Sequence, residues 1–142
     1  MCLSIAINRP NDILAQGEHQ GFEWMIVHNN MGYRCGYVRL PKGHPWHGKD
    51  WDEVSVDVHG GITFAEADVQ CDKGGADDAW WLGFDCAHSG DAPDPSLPRE
   101  NSRWTALRSY EVVHTQEYVE RECRKLCEQA AEAQAFLVEA KP

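Results

Sequence analysis

Long apolar runs are missing from this sequence of 142 residues. A helix that crosses a bilayer needs about 20 consecutive apolar residues, whereas the apolar opening segment covers only residues 1–7. That segment also lacks the basic flank of an export signal. We therefore expect a cytoplasmic protein with no membrane partner.

Basic residues are also scarce. Lysine and arginine number 13 against 23 aspartates and glutamates, which gives a formal net charge of −10. Nucleic-acid binding needs clustered cations that neutralise phosphates, so we expect no direct nucleic-acid binding. The same charge suits contact with a basic protein surface, and this leaves open an acidic inhibitor of a nuclease.

Paired cysteine spacings and nucleotide-binding glycine loops are absent as well. The six cysteines lack the regular spacing of a disulfide framework, and we expect them to be reduced. Neither a Walker-type phosphate loop nor a dinucleotide fingerprint occurs, so we expect no cofactor. The cysteines stand at positions 2, 35, 71, 86, 123 and 127.

The patterns that are present predict an α+β fold. Residues 22–27 and 33–40 are rich in aromatic and β-branched side chains and flank the turn-forming segment 29–32, which predicts a hairpin. Further strands are predicted at 54–58, 62–64 and 80–84. The expected result is a mainly antiparallel sheet of about four to six strands.

The last part of the sequence predicts a long amphipathic helix that begins near Thr115, a suitable N-cap. Its apolar residues recur at steps of three and four and form one stripe, which we expect to pack on the sheet. The stripe consists of Val119, Cys123, Leu126, Ala130, Ala133 and Leu137. We divide a single domain, 1–142, into an extended N-terminal segment 1–20, a β-rich core 21–88, a loop and connecting segment 89–113, and a C-terminal helix 114–138.

Histidine and aspartate concentrate beside glycines near strand ends. His59 precedes two glycines, while Asp85, His88 and Asp91 follow the predicted strand 80–84. Because both segments adjoin one sheet, we expect them to be neighbours in space. Imidazole and carboxylate are ligands of zinc, manganese and iron, but the same residues also serve as structural hydrogen-bonding groups. We predict no metal; if one is present, its ligands are His59, Asp85, His88 and Asp91.

Six tryptophans are many for this length. Trp80 and Trp81 are consecutive in a predicted strand, so they point to opposite faces and only one of them needs to be core. The other, with Phe84, offers a flat surface for a base or sugar, and arginines such as Arg108 offer forked donors for a phosphate. The alternative is that the aromatic residues fill the core and the arginines are solvated.

Four motifs carry a resemblance to known proteins. They are GYV at 36–38, PKGHP at 41–45, VHGGITF at 58–64 and WWLGFDCAHSGD at 80–91. In these motifs the sequence resembles a family of small phage and prophage proteins, over roughly residues 21–130. A sheet followed by a C-terminal helix is also similar to the anti-Thoeris sponges, which sequester cyclic ADP-ribose signals without cleaving them.

The resemblance implies a phage-encoded counter-defence protein, active in the host cytoplasm, that binds a small nucleotide-like immune signal without cleaving it. We expect a homodimer with the pocket between sheet and helix. The predicted ligand contacts are His59, Trp81, Phe84, Asp85, His88, Arg108 and His114. Two alternatives remain open: a metal-dependent hydrolase built on the metal ligands named above, and an acidic protein inhibitor of a host defence nuclease.

Overall fold

The computed structural model describes residues 13–29, 31–67, 79–97 and 111–140, with side chains described as far as residue 136. Across these ranges, no helix combines the length and the apolar character needed to cross a membrane.

A five-stranded antiparallel sheet forms the centre of the protein, as predicted. Its strands are β1 (Ile13–His19), β2 (Phe22–His28), β3 (Arg34–Leu40), β4 (Phe64–Ala67) and β5 (Trp80–Asp85). The order across the sheet is β1-β2-β3-β5-β4, and every neighbouring pair is antiparallel. The strand that carries the tryptophan pair is therefore interior, and Trp81 is completely buried while Trp80 is half-buried.

The first strand was not predicted, because segment 1–20 was assigned as an extended segment. Strand β1 joins β2 through a two-residue turn in which Gln20 and Gly21 have φ values of 51° and 86°, the geometry that suits a right-twisted hairpin. Gly17 faces the indole of Trp24, and a Cβ atom there would lie 2.7 Å from Trp24 Cζ2. The glycine therefore allows the ring to cover this edge strand.

The predicted strand at 54–58 was wrong. This segment has no strand pairing among the described residues, although Val54 and Val58 are buried in the core as the alternation suggested. Its backbone is held instead by the helix, since Asp57 N donates to Gln129 Oε1 at 2.8 Å. The predicted strand at 62–64 is shifted, because β4 begins only at Phe64.

Helix α1 (Gln116–Ala140) packs the first four residues of its apolar stripe on the sheet, which confirms the predicted layout. The side chain of Leu137 lies outside the described residues. The Thr115 hydroxyl accepts a hydrogen bond from Tyr118 N at 3.1 Å and so caps the helix as predicted. Gly36 of β3 allows close packing, because a Cβ atom there would lie 2.8 Å from Cys123 Sγ and 2.5 Å from Phe84 Cζ. The first four stripe residues are fully buried: Val119, Cys123, Leu126 and Ala130.

The segment predicted as a loop, 89–113, contains a short strand pair in its described parts. Strands β6 (Asp91–Ala92) and β7 (Val112–Val113) run parallel to each other. Since β7 ends next to His114, the pair brings the start of the helix to the loop that follows β5. This arrangement creates the candidate site.

Candidate functional site

The loop between Val58 and Ile62 delivers His59 to the site. Both flanking residues are buried in the core, and Gly61 N donates to Val58 O at 2.9 Å to close the turn. Gly60 and Gly61 have φ values of 69° and 78°, a region that residues with a Cβ atom seldom adopt. The glycine pair therefore turns the chain sharply after His59.

The carboxylate of Asp91 is the centre of the cluster, and its side chain is only 5 % exposed. His59 Nε2 donates to Oδ2 at 2.9 Å, and His114 Nε2 donates to Oδ1 at 2.7 Å. The backbone N of His88 donates to Oδ2 at 2.9 Å. Burial alone raises the pKa of Asp91, but the hydrogen bonds from His59, the His88 backbone and His114 outweigh it and hold that pKa below its usual value.

Helix α1 supplies a second set of contacts that sequence reasoning missed. Tyr118 Oη lies 2.9 Å from His59 Nδ1, and Glu122 Oε1 accepts from His59 N at 2.9 Å. Lys125 Nζ lies 3.0 Å from Glu122 Oε2, so the Glu122 charge is paired. The contacts belong to a row of polar residues on the helix, spaced at steps of four, three and four. Each member directly precedes a residue of the apolar stripe: Tyr118, Glu122, Lys125 and Gln129. That helical spacing was the feature of the sequence that could have indicated a polar face beside the site.

The hydrogen bonds of a neutral His59 fix its tautomer. An ionised carboxylate only accepts, so Nε2 carries the hydrogen that is donated to Asp91. His59 Nδ1 then accepts from the hydroxyl of Tyr118. Tyr118 therefore donates a hydrogen bond to His59, and His59 donates one to Asp91. His114 donates to the other oxygen of the same carboxylate.

His88 differs from the other two histidines of the cluster. Its ring is 34 % exposed, yet Nδ1 is shielded from solvent and has no hydrogen-bond partner among the described residues. That nitrogen lies 3.4 Å from Asp85 Oδ1 and 3.6 Å from Asp91 Oδ2, without the alignment of a hydrogen bond. Nδ1 of His88 is thus turned towards two carboxylates inside the cluster.

The donor atoms of His59, His88 and Asp91 fit a single transition-metal ion. They all lie within 4.8 Å of one another, whereas a tetrahedral zinc ion with bonds of about 2.1 Å sets its ligand atoms about 3.4 Å apart. Loading the site would therefore require the widest separation to close by at most about 1.4 Å and the 2.9 Å between His59 Nε2 and Asp91 Oδ2 to widen by about 0.5 Å. Two imidazoles and one carboxylate suit zinc or iron(II), and the bond from His114 would orient the ligating carboxylate.

Asp85 stands beside this group and is not one of the three. Its Oδ2 accepts from Thr63 Oγ1 at 2.9 Å, and its Oδ1 accepts from Ala87 N at 3.0 Å. The group of three therefore contains His59, His88 and Asp91 of the four residues named as conditional ligands. Cys86, the next residue, is buried, and its pKa is raised to about 12 by burial and then by the charge of Asp91, which does not suit a nucleophile.

The structure thus joins His59, Asp85, His88, Asp91 and His114, and the predicted meeting of His59 with the loop after β5 is confirmed. Other predicted ligand contacts lie elsewhere. Trp81 and Phe84 are 0 % and 1 % exposed on opposite faces of the sheet, so they pack in the core and present no surface to a ligand. Arg108 lies outside the described residues.

Arg34 is a cation near the cluster, and its Nη1 and Nε donors are engaged. Nη1 donates to Asp94 Oδ2 at 2.8 Å and to His114 O at 2.9 Å, and Nε donates to Gln116 Oε1 at 3.1 Å. Arg34 therefore fixes the entry of the helix and the backbone of His114, and its charge is paired with that of Asp94.

His44 belongs to the core. Its Nε2 lies 2.8 Å from Ala130 O, its Nδ1 accepts from Trp46 N at 3.0 Å, and burial lowers its pKa. This histidine is therefore structural.

Comparisons with family models, with curated proteins and with solved structures found no match to this chain. The geometry of the cluster carries the functional argument.

Proposed function

We propose that His59, His88 and Asp91 hold one divalent transition-metal ion and that the chain is a metal-dependent hydrolase. The observation that carries the proposal is His88 Nδ1, which is shielded from water and forms no hydrogen bond among the described residues. An unsatisfied buried polar atom costs about 1–3 kcal/mol. With the ring hydrogen of His88 on Nε2, a bound ion would use the lone pair of Nδ1 and would remove the cost.

Each residue of the cluster has a role in this proposal. A zinc ion with three protein ligands keeps a fourth position for water and lowers the pKa of that water to about 7. Asp85 is 30 % exposed and lies 3.4 Å from His88, which makes it the candidate general base. His114 orients Asp91, and Tyr118 orients His59.

Metal analysis tests the proposal directly. Protein purified without chelator should contain one equivalent of metal, and His59→Ala and His88→Ala should abolish zinc binding measured by calorimetry. His19→Ala is the matched control, because His19 also lies beside a carboxylate, 3.1 Å from Glu128 Oε2, but on strand β1. Chromogenic ester and phosphodiester probes report hydrolysis. Absence of bound metal, together with a melting curve that chelator and zinc leave unchanged, would overturn the proposal.

Sequestration of a nucleotide-like signal, the function that the resemblance implies, is a second proposal. The observation in its favour is the location of the cluster, at the junction of the sheet loops with the start of the helix. A bound cation would supply positive charge for a phosphate, which the engaged Arg34 does not. Calorimetry with cyclic ADP-ribose isomers tests it: stoichiometric binding without turnover supports sequestration, and turnover of the bound compound supports the hydrolase.

A further inference from the structure

Tyr118 faces the ring nitrogen of His59 that lies away from Asp91. The Tyr118 hydroxyl is 2.9 Å from Nδ1, whereas Nε2 is 2.9 Å from Asp91 Oδ2. The two rings meet edge to face, with centroids 5.6 Å apart at 90°. His59 therefore offers Nε2 to the proposed ion and Nδ1 to the helix.

Without metal, Nε2 is not free to bind an ion, because it carries the hydrogen that it donates to Asp91. A metal bond requires the lone pair of that nitrogen. For a ring that stays neutral, the proton on Nε2 must leave to solvent and Nδ1 must take one up from solvent, so that the ring hydrogen then resides on Nδ1. There it meets the oxygen of Tyr118, which must change from donor to acceptor.

We propose that metal loading reverses the direction of hydrogen bonding from Tyr118 to His59, and that Tyr118 is a positioning residue of the metal site. A phenol suits this role because its oxygen both donates and accepts. Partners of this kind fix the orientation of a ligating histidine, and their removal typically lowers metal affinity about 10–100-fold. The inference rests on the proposed function, since it assumes that His59 is a metal ligand.

The fold holds Tyr118 in place for either hydrogen-bond direction. It lies in the first turn of α1, where its backbone N donates to the Thr115 cap. One turn later, Glu122 fixes the backbone of His59 through a 2.9 Å bond to its N. Because Tyr118 and Glu122, one helical turn apart, both hold His59, the contact between Tyr118 and Nδ1 can persist whichever of the two carries the hydrogen.

Nuclear magnetic resonance of protein labelled with 15N-histidine tests the tautomer at about pH 8. In wild type without metal, His59 should show a protonated Nε2 and an unprotonated Nδ1. Addition of one equivalent of zinc should exchange the two assignments. This measurement needs no variant, so it remains decisive if a substitution impairs folding.

Zinc titration of Tyr118→Phe completes the test. Its zinc affinity should fall about 10–100-fold, while Tyr33→Phe, which removes a hydroxyl from the hairpin outside the described contacts of the cluster, should leave that affinity unchanged. Zinc binding by wild type with Nε2 of His59 still protonated would overturn the inference and leave the proposed metal site standing. Absence of zinc binding by wild type would overturn both.

Discussion

Replacement of Gly60 by alanine separates the metal site from the stability of the loop that carries it. The φ value of Gly60 is 69°, and an alanine in the left-handed region costs roughly 1–2 kcal/mol. The new Cβ atom would also lie 2.3 Å from Cε1 and 2.6 Å from Nδ1 of His88. Since no real contact is so short, the imidazole must move.

The movement of His88 should itself cost little stability. Its ring is 34 % exposed and its Nδ1 has no hydrogen bond to lose among the described residues, so the side chain can rotate towards solvent. The free energy of unfolding of Gly60→Ala should therefore fall by only the backbone cost, about 1–2 kcal/mol. Zinc binding should be lost, because one of three ligands leaves the cluster.

Gly61→Ala provides the matched control. Its φ value of 78° imposes a comparable backbone cost, but a Cβ atom there meets nothing within 4 Å. Chemical denaturation should give similar losses of stability for the two variants, and calorimetry should show zinc binding only in Gly61→Ala. Equal zinc affinities in the two variants would refute the assignment of His88 as a ligand, and a loss far above 2 kcal/mol in Gly60→Ala alone would show that His88 cannot move.

Two further substitutions test the carboxylates. Asp91→Asn should lower the free energy of unfolding by about 1–3 kcal/mol at neutral pH. Because the pKa of Asp91 is lowered in the folded state, its contribution is complete above the unfolded pKa of about 3.9 and is lost as pH falls through the folded pKa. Denaturation curves of wild type and variant should therefore begin to converge below about pH 4 and should coincide only below the folded pKa of Asp91, and a constant difference would contradict this. Asp85→Asn should retain zinc binding and melt close to wild type but lose hydrolysis of the chromogenic probes. A fall of about 1–3 kcal/mol in the free energy of unfolding with activity retained would instead assign Asp85 to a structural clasp, a hydrogen-bonded cluster that only holds the loops together.

Sequence patterns predicted the elements that are most buried. Strands β2, β3 and β5 are buried along almost their whole length, the stripe of α1 is buried at its regular spacing, and all four were predicted. Strand β1 lies at an edge with half-buried and exposed residues, so its sequence has no strong alternation. Segment 54–58 does alternate, but the alternation reflects the burial of Val54 and Val58 and not strand pairing. Periodicity reports which side chains are buried, whereas backbone partners depend on the rest of the chain.

The sequence indicated which loops form the site but not which helix residues contact them. Glycines beside strand ends indicated that His59 and the loop after β5 would meet. The contacts of Tyr118 and Glu122 with His59 were not predicted, because the apolar stripe of the helix gives no information about its polar residues. Their part in the site depends on the segment 54–61 lying along the helix, which the erroneous strand prediction for 54–58 concealed.

A structural clasp and a metal site make different use of the cluster. His59, His114 and Asp91 satisfy one another by hydrogen bonds, and a clasp accounts for all three. His88 makes no such hydrogen bond among the described residues, and its partly exposed ring directs a shielded Nδ1 towards Asp85 and Asp91 at 3.4 Å and 3.6 Å. A hydrogen on that nitrogen would suit the two carboxylates, whereas a bound ion would use its lone pair. The inward orientation of His88, in the space that Gly60 leaves open, is therefore the feature on which the metal proposal depends.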